Sequence, residues 1–242
     1  MNPASDPNSP QRLWKMGRVV LQRETAHRGG KTVIVGANLV YTPLDIHTKA
    51  TTYKDARGWF GDNNRTFAGL PAGESKLAGV KFSIYDMATS PVPQVLMLGG
   101  NGIPGNLPAQ ITGIPVNMKA DALFFLHTAR IGNRRNDDDR RDKKTYVMFK
   151  YVVNYADGQN VEVPIRSEID IENYVQKNPA TIPGAQTAWI QSYENSDEKG
   201  VAYSKQWNNP RPEVTITSVD MIPVDGSRGV PVLLGITAAQ AE

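Results

Sequence analysis

The stretch from Tyr146 to Arg166, YVMFKYVVNYADGQNVEVPIR, constrains the fold more than any other part of the chain. Its first half alternates with a period of two, which is typical of a strand in a packed sheet. One face of that strand would carry Val147, Phe149, Tyr151, Val153 and Tyr155. The Asp-Gly pair that follows favours a turn, because Gly accepts positive φ without steric cost. A second alternating segment then predicts a β-hairpin. One amphipathic helix, the alternative, does not fit the β-branched residues and the Asp-Gly break.

Further strand-like segments are separated by turn residues along the rest of the chain. They are Lys31–Tyr41, Val80–Tyr85, Gln94–Leu98, Ile111–Val116, Ala120–His127, Thr187–Tyr193, Gly200–Trp207, Glu213–Ile222 and Gly229–Thr237. The continuous apolar run of Ala120–His127 predicts a central strand that is buried on both faces. A change of apolar face between Ile216 and Val219 indicates a bulge, and Ile169–Gln176 is predicted to form a short helical turn. Together these segments predict an all-β protein, an antiparallel β-sandwich or jelly roll.

Length and the N-terminal composition suggest one domain. Residues 1–15 are polar and rich in Pro, so we expect them to be disordered or an addition to the native chain. Residues 16–242 would form a single β-sandwich domain. The N-terminus has no apolar core of a secretory signal, which leaves two interpretations. The favoured one is an extracytoplasmic or secreted protein whose signal is not part of this sequence, and the other is a cytoplasmic protein.

Charge and cysteine content narrow the function classes. The 27 basic and 24 acidic residues nearly cancel to a net charge of +3, which argues against a nucleic-acid partner. No apolar run approaches the ~18 residues of a membrane span, so no membrane partner is expected. With 0 cysteines, the chain has no disulfide, thiol nucleophile or thiolate metal ligand.

Three loops are possible sites. The segment Thr42–Gly79 is mostly irregular, with aromatic and polar side chains interleaved, and a loop of this length is usually functional or held in place by other contacts. Gly99–Pro108 is rich in glycine but lacks the Lys-Ser/Thr of a phosphate-binding loop, which favours a turn. Ile131–Lys144 carries mixed charge and favours a solvated hairpin loop. The cluster Asp137–Asp139 within this loop is a candidate site for a structural Ca²⁺ ion, although it lacks the ligand spacing of an EF-hand. No other cofactor is expected.

Several motifs occur together in a recognisable order. They are GWFGDNN with LPAGE and LAGVKFSIYD, then IPVNMKADALFFLHTA, then YVVNYADGQNVEVPIR followed by QWNNPRPEVTITSVDMIP and LLGITA. This order resembles the galactose-binding-like β-sandwich domains attached to glycoside hydrolases of environmental, planctomycete-like bacteria. The resemblance covers residues 55–238 and implies a carbohydrate-directed accessory domain without a catalytic set. The charged loop Ile131–Lys144 and the residues before 50 depart from the pattern.

Candidate ligand-binding residues follow from the needs of sugar recognition. Sugars are bound by aromatic faces together with planar polar groups. Trp59 with Asp62, Asn63 and Arg65 has that composition, although the favoured alternative is that Trp59 plugs the end of the sandwich. A second group, Trp207 with Asn208, has a similar composition, although its Pro-rich connector suggests a structural anchor.

His127 completes the set of candidate residues. It ends the most apolar predicted strand, where a lone histidine is more often structural than a ligand. The three histidines, His27, His47 and His127, show no metal-binding spacing. Carboxylates such as Asp62, Asp86, Asp170 and Glu172 are plentiful, and the sequence cannot pair them for hydrolysis.

Three functions remain open at this point. The first is a carbohydrate-binding module that recognises a polysaccharide or oligosaccharide through a loop site at one end of the sandwich, beside a catalytic domain or enzyme partner. The second is a glycan-active hydrolase or lyase that uses carboxylates or His127 in the same cleft. The third is a structural module that packs on a catalytic partner, which an exposed apolar patch without a polar cleft would indicate. No catalytic residue is assigned.

Overall fold

The computed structural model describes residues 39–56, 59, 65–86, 92–99, 106–131, 145–225 and 229–241. Within these ranges the chain forms strands and one 3₁₀ turn, His47–Lys49. The strands are β1 Leu39–Leu44, β2 Gly73–Leu77, β3 Val80–Ile84, β4 Leu96–Met97, β5 Ile111–Met118, β6 Ala122–Arg130, β7 Val147–Tyr155, β8 Asn160–Arg166, β9 Val175–Gln176, β10 Gln186–Ser192, β11 Lys199–Asn208, β12 Ile216–Pro223 and β13 Val230–Ala241. None of the described residues belongs to a helix with the length and apolarity of a membrane span.

The strands form two main sheets and a hairpin. A seven-stranded sheet has the order β1-β13-β6-β11-β10, with β4 beside β13 and β9 beside β11. A four-stranded sheet has the order β5-β12-β7-β8, and β2 pairs with β3. The pairs of named strands are antiparallel. The predicted all-β, antiparallel sandwich is therefore confirmed, whereas jelly-roll topology and galactose-binding-like ancestry stay predictions.

The core between the two main sheets follows from the alternation in β7. Phe149, Tyr151 and Val153 are fully buried and point into this core, as the sequence predicted. The Phe125 ring of β6 stacks on the Tyr151 ring at 4.0 Å between centroids, so the central strands of the two sheets are in direct contact. The predicted hairpin is confirmed, since β7 and β8 pair with Val153 opposite Val161.

The other face of the seven-stranded sheet is also covered. Phe124 and Leu126 of β6 are buried there against a second core, which includes Phe82 and Ile84 of β3 and Phe67. The prediction that Ala120–His127 forms a strand buried on both faces is thus confirmed. Because the β2-β3 hairpin lies over this sheet and beside edge strand β1, it creates the recess described below.

Two local predictions differ from the structure and one is confirmed. Ile169–Gln176 forms no helix. Its backbone instead forms isolated β-bridges, from Ile171 to Ser167 and from Asn173 to Ala129, and then continues into β9. The supposed loop Thr42–Gly79 contains β2, whose residues Gly73 to Lys76 are partly or largely exposed and gave no apolar signal. The expected bulge is present, as a register shift between Ile216 and Ser218. Residues 16–38, part of the predicted domain, lie outside the described residues.

The β7-β8 turn provides a test of the hairpin. Gly158 has φ +81° and its amide donates to the Tyr155 carbonyl, while an added Cβ would meet no atom within 4 Å. Gly158→Ala should therefore cost only backbone strain, about 1 kcal/mol of unfolding free energy. Gly158→Asn is the matched variant and should cost less, because Asn tolerates this conformation better. Urea denaturation measures both, and equal stability of the Ala variant and the parent would contradict the expectation.

Candidate functional site

A recess lies at the edge of the seven-stranded sheet, between the end of β1 and the β2-β3 hairpin. Its volume is about 270 Å³. We call it the edge pocket, and it is lined by Pro43, Leu44, Asp45, Ile46, His47, Glu74, Ser83 and Tyr85. Its polar lining thus combines two carboxylates, an imidazole, a hydroxyl and a phenol ring.

Secondary structure places each polar group of the edge pocket. On one wall, Leu44 and Ile46 are buried in the core and so hold Asp45 and His47 between and beside them. On the other wall, Glu74 of β2 and Ser83 of β3 are directly opposite one another in the hairpin register. Glu74 and Ser83 lie on paired strands, which hold side chains in place better than free loops do, whereas Asp45 and Tyr85 lie just beyond the ends of β1 and β3.

The aromatic wall of the pocket is a stacked pair of rings. The imidazole of His47 lies against the Tyr85 ring with 4.3 Å between centroids and 20° between planes. The His47 Nδ1–H donates to the Asp45 carboxylate, and the His47 backbone N–H donates to the same oxygen at 3.0 Å. Across the pocket, the Glu74 carboxylate lies 2.6 Å from Lys81 Nζ. The arrangement can contact a ring face and accept several hydrogen bonds.

Trp59, the predicted stacking residue, lies instead in the second core, beside the seven-stranded sheet. Its side chain is 3% exposed and packs 5.1 Å from the Phe67 ring centroid. Its indole Nε1–H donates to the Tyr53 carbonyl at 2.9 Å. A buried indole presents no face to an external ligand, so the stacking role does not fit this structure and a structural role for Trp59 is favoured.

Arg65 is engaged in the protein's own contacts. Its Nε and Nη2 donate to the Glu198 carboxylate at 2.9 and 2.5 Å, and its guanidinium lies 5.0 Å over the Tyr193 ring centroid. These contacts tie the segment that contains Arg65 to the 193–198 turn. Asp62 and Asn63, its predicted partners in a sugar site, lie outside the described residues.

His127 is fully enclosed between the two main sheets, with 0% exposure. Its Nε2–H donates to the Asp170 carbonyl at 3.0 Å, which can only accept, so Nδ1 accepts from the Tyr151 hydroxyl at 3.2 Å. Burial, opposed by the Asp170 carbonyl and assisted by Lys205, lowers the pKa of His127 to about 3. This satisfied neutral ring is structural and, being sealed from solvent, does not serve as the predicted ligand-binding group.

Trp207 and Asn208 lie at the end of β11, apart from the candidates above. Trp207 is partly buried and packs against the core between the sheets. Asn208 Oδ1 accepts from Gln206 Nε2 at 2.7 Å. The following connector is fastened by Asn209, whose Oδ1 accepts from the Tyr155 hydroxyl at 2.5 Å. These contacts match the anchoring alternative for this motif.

The described residues contain no group of three or more His, Asp or Glu side chains arranged to hold a metal ion. The Asp137–Asp139 cluster lies outside these residues, so the structural Ca²⁺ considered there stays an open hypothesis. Among the carboxylates considered for catalysis, Asp170 is 2% exposed and is paired with Lys205 at 2.7 Å.

Sequence reasoning did not assign the edge pocket. The irregular segment Thr42–Gly79 was predicted to be functional or held in place by other contacts, and it contains Asp45, His47 and Glu74. The signal that could have suggested the site was Asp45 and His47 close together in an irregular segment. No local pattern connects them to Tyr85, which only the β2-β3 hairpin brings alongside.

No protein-family model matches the chain, and no curated protein sequence matches it significantly.

Proposed function

We propose that this chain is a carbohydrate-binding module and that the edge pocket is its binding site. The observation that carries the proposal is a recess on a rigid β-sandwich that combines an aromatic ring with planar hydrogen-bonding groups. Tyr85 and His47 supply the ring surface, and Asp45, Glu74 and Ser83 supply acceptors and a hydroxyl. Sugars need this combination, because their C–H faces pack on aromatic rings while their hydroxyls need hydrogen-bond partners.

The proposed ligand is a polysaccharide or oligosaccharide, and the proposed setting is extracytoplasmic, beside a catalytic domain or enzyme partner. The resemblance of residues 55–238 to accessory domains of glycoside hydrolases supports this setting. The site lies at a sheet edge rather than at the end-loop group around Trp59, because Trp59 is buried and the edge pocket is open.

The test is a polysaccharide pull-down run beside a reducing-sugar assay on the same glycan panel. We expect retention on at least one glycan with no release of reducing ends. Tyr85→Ala should lower affinity about tenfold, because it removes the ring surface for stacking. Tyr85→Phe, the matched control, keeps the ring and should bind nearly as well as the parent. Absence of binding across the panel by folded protein would overturn the proposal.

A glycan-active enzyme is the second candidate, and one observation favours it. Asp45 and Glu74 line one pocket, and Asp45 is hydrogen-bonded to His47. Glycoside hydrolysis commonly uses two carboxylates on either side of the bond to be cleaved. Release of reducing ends that Glu74→Gln abolishes in a folded protein would establish this function in place of binding alone.

The purely structural module has less support. Among the described residues, the exposed large apolar side chains are Val40 and Ile190, each 48% exposed. They lie on β1 and β10, the two opposite edges of the seven-stranded sheet, and so form no common docking patch.

A further inference from the structure

The charged lining of the edge pocket is mainly acidic. Asp45 and Glu74 come from opposite walls, and their side chains are 63% and 59% exposed, so a ligand can reach both carboxylates. Lys81 lies beside Glu74 at 2.6 Å and offsets that one charge. Within the described part of the chain, the ion-pair partner of Asp45 is the His47 imidazole. Lys81 does not line the pocket, so the lining itself carries two carboxylates and one imidazole.

The size of the edge pocket limits what can enter it. Its volume of about 270 Å³ lies just below the range of ~300–1,000 Å³ for sites that enclose drug-sized ligands. A single sugar residue suits such a space, whereas a long stretch of glycan would have to remain outside. The two carboxylates then act on substituents of that one residue.

Resting on the proposed function, we propose that the edge pocket selects a sugar residue with a free, protonated amino group. An ammonium group offers three charged N–H donors, and charge-assisted bonds to carboxylates are about twice as strong as neutral ones. Asp45 and Glu74 supply the acceptors, while Tyr85 and His47 contact the ring. An N-acetylated sugar brings no positive charge, and a uronate brings a carboxylate that Asp45 and Glu74 repel.

The test compares three tetrasaccharides by isothermal titration calorimetry at pH 6.0, where the glucosamine amines are largely protonated: β-1,4-linked glucosamine, its N-acetylated form and galacturonate. We expect the free-amino tetramer to bind about tenfold more tightly than the other two, since hydrogen bonds to charged groups contribute more than neutral ones do. That preference should shrink as salt is raised. Asp45→Asn and Glu74→Gln should each remove most of it. Glu162→Gln, which alters a similar exposed pair with Lys150 on the other main sheet, should leave it unchanged.

The outcomes separate this inference from the proposed function. Equal binding of all three tetramers, or preference for the uronate, would overturn the inference and leave carbohydrate binding in place. A preference for the amino sugar that survives both Asp45→Asn and Glu74→Gln would also overturn it, because the carboxylates would not be responsible. Absence of binding to all three tetramers and to the wider glycan panel, by protein with an unchanged melting transition, would overturn both proposals.

Discussion

Asp170→Ala should lower the free energy of unfolding by about 3–5 kcal/mol, because it removes one partner of a buried ion pair. The Asp170 and Lys205 side chains are 3% and 15% exposed, and Asp170 Oδ1 lies 2.7 Å from Lys205 Nζ. Asp170 Oδ2 also accepts from the Arg166 backbone N–H at 3.0 Å. Truncation would leave the Lys205 charge largely out of water and the Arg166 amide without this acceptor.

An exposed pair of the same residue types is the matched control. Asp197 lies 2.9 Å from Lys177, but their side chains are 69% and 67% exposed. Asp197→Ala should cost much less than Asp170→Ala, because solvent screens such pairs. Urea denaturation of both variants decides the matter. If Asp170→Ala cost as little as Asp197→Ala, the buried pair would not stabilise the fold as argued.

The double variant Asp170→Ala with Lys205→Met tests the physical reason. A buried pair replaced on both sides by uncharged groups often costs little, since the desolvation of the charges disappears with them. We therefore expect Lys205→Met to recover part of the stability lost in Asp170→Ala. If the two single losses simply added, the cost would come from packing rather than from an uncompensated charge.

Lowering the pH from 7 to 4.5 should destabilise the protein by about 3 kcal/mol through His127 alone. In the folded state the pKa of His127 is about 3, because burial disfavours the charged ring, whereas an unfolded histidine titrates near ~6.5. Between these values the unfolded chain binds a proton that the native chain does not. The contribution of His127 is therefore complete above pH ~6.5 and is lost as the pH falls toward 3, at about 1.4 kcal/mol per pH unit.

The control for this pH dependence is His127→Gln. Between pH 6.5 and 4.5, the slope of its unfolding free energy against pH should be smaller by about 1.4 kcal/mol per pH unit, the contribution of one proton. The absolute stability of this variant will be lower, so the comparison concerns the slope. An unchanged slope in His127→Gln would show that other groups cause the loss of stability.

Much of the fold could be predicted from local sequence. The β7-β8 hairpin was predictable because period-two alternation and an Asp-Gly turn are properties of adjacent residues. The central position of β6 followed from its unbroken apolar run, which only a strand covered on both faces accommodates. β2 could not be predicted because its residues Gly73 to Lys76 are partly or largely exposed and show no apolar alternation.

The candidate site could not be predicted in the same way. Trp59 was a reasonable stacking residue by composition, yet the structure buries it beside Phe67. The burial of His127 favours the structural alternative over the predicted ligand-binding role, and its partners Tyr151 and Asp170 are distant in sequence. The local sequence around a tryptophan among polar residues does not indicate whether the indole faces solvent or the core.

The sequence by itself thus determined which segments are strands and where they turn, because these follow from side-chain alternation and backbone preferences of neighbouring residues. Only the tertiary structure decided which polar groups meet. Asp45 reaches the same pocket as Glu74 and Tyr85 because β1 lies at the sheet edge and the β2-β3 hairpin covers the sheet beside it. Such meetings depend on how the sheets pack, and packing is a property of contacts between residues far apart in the chain.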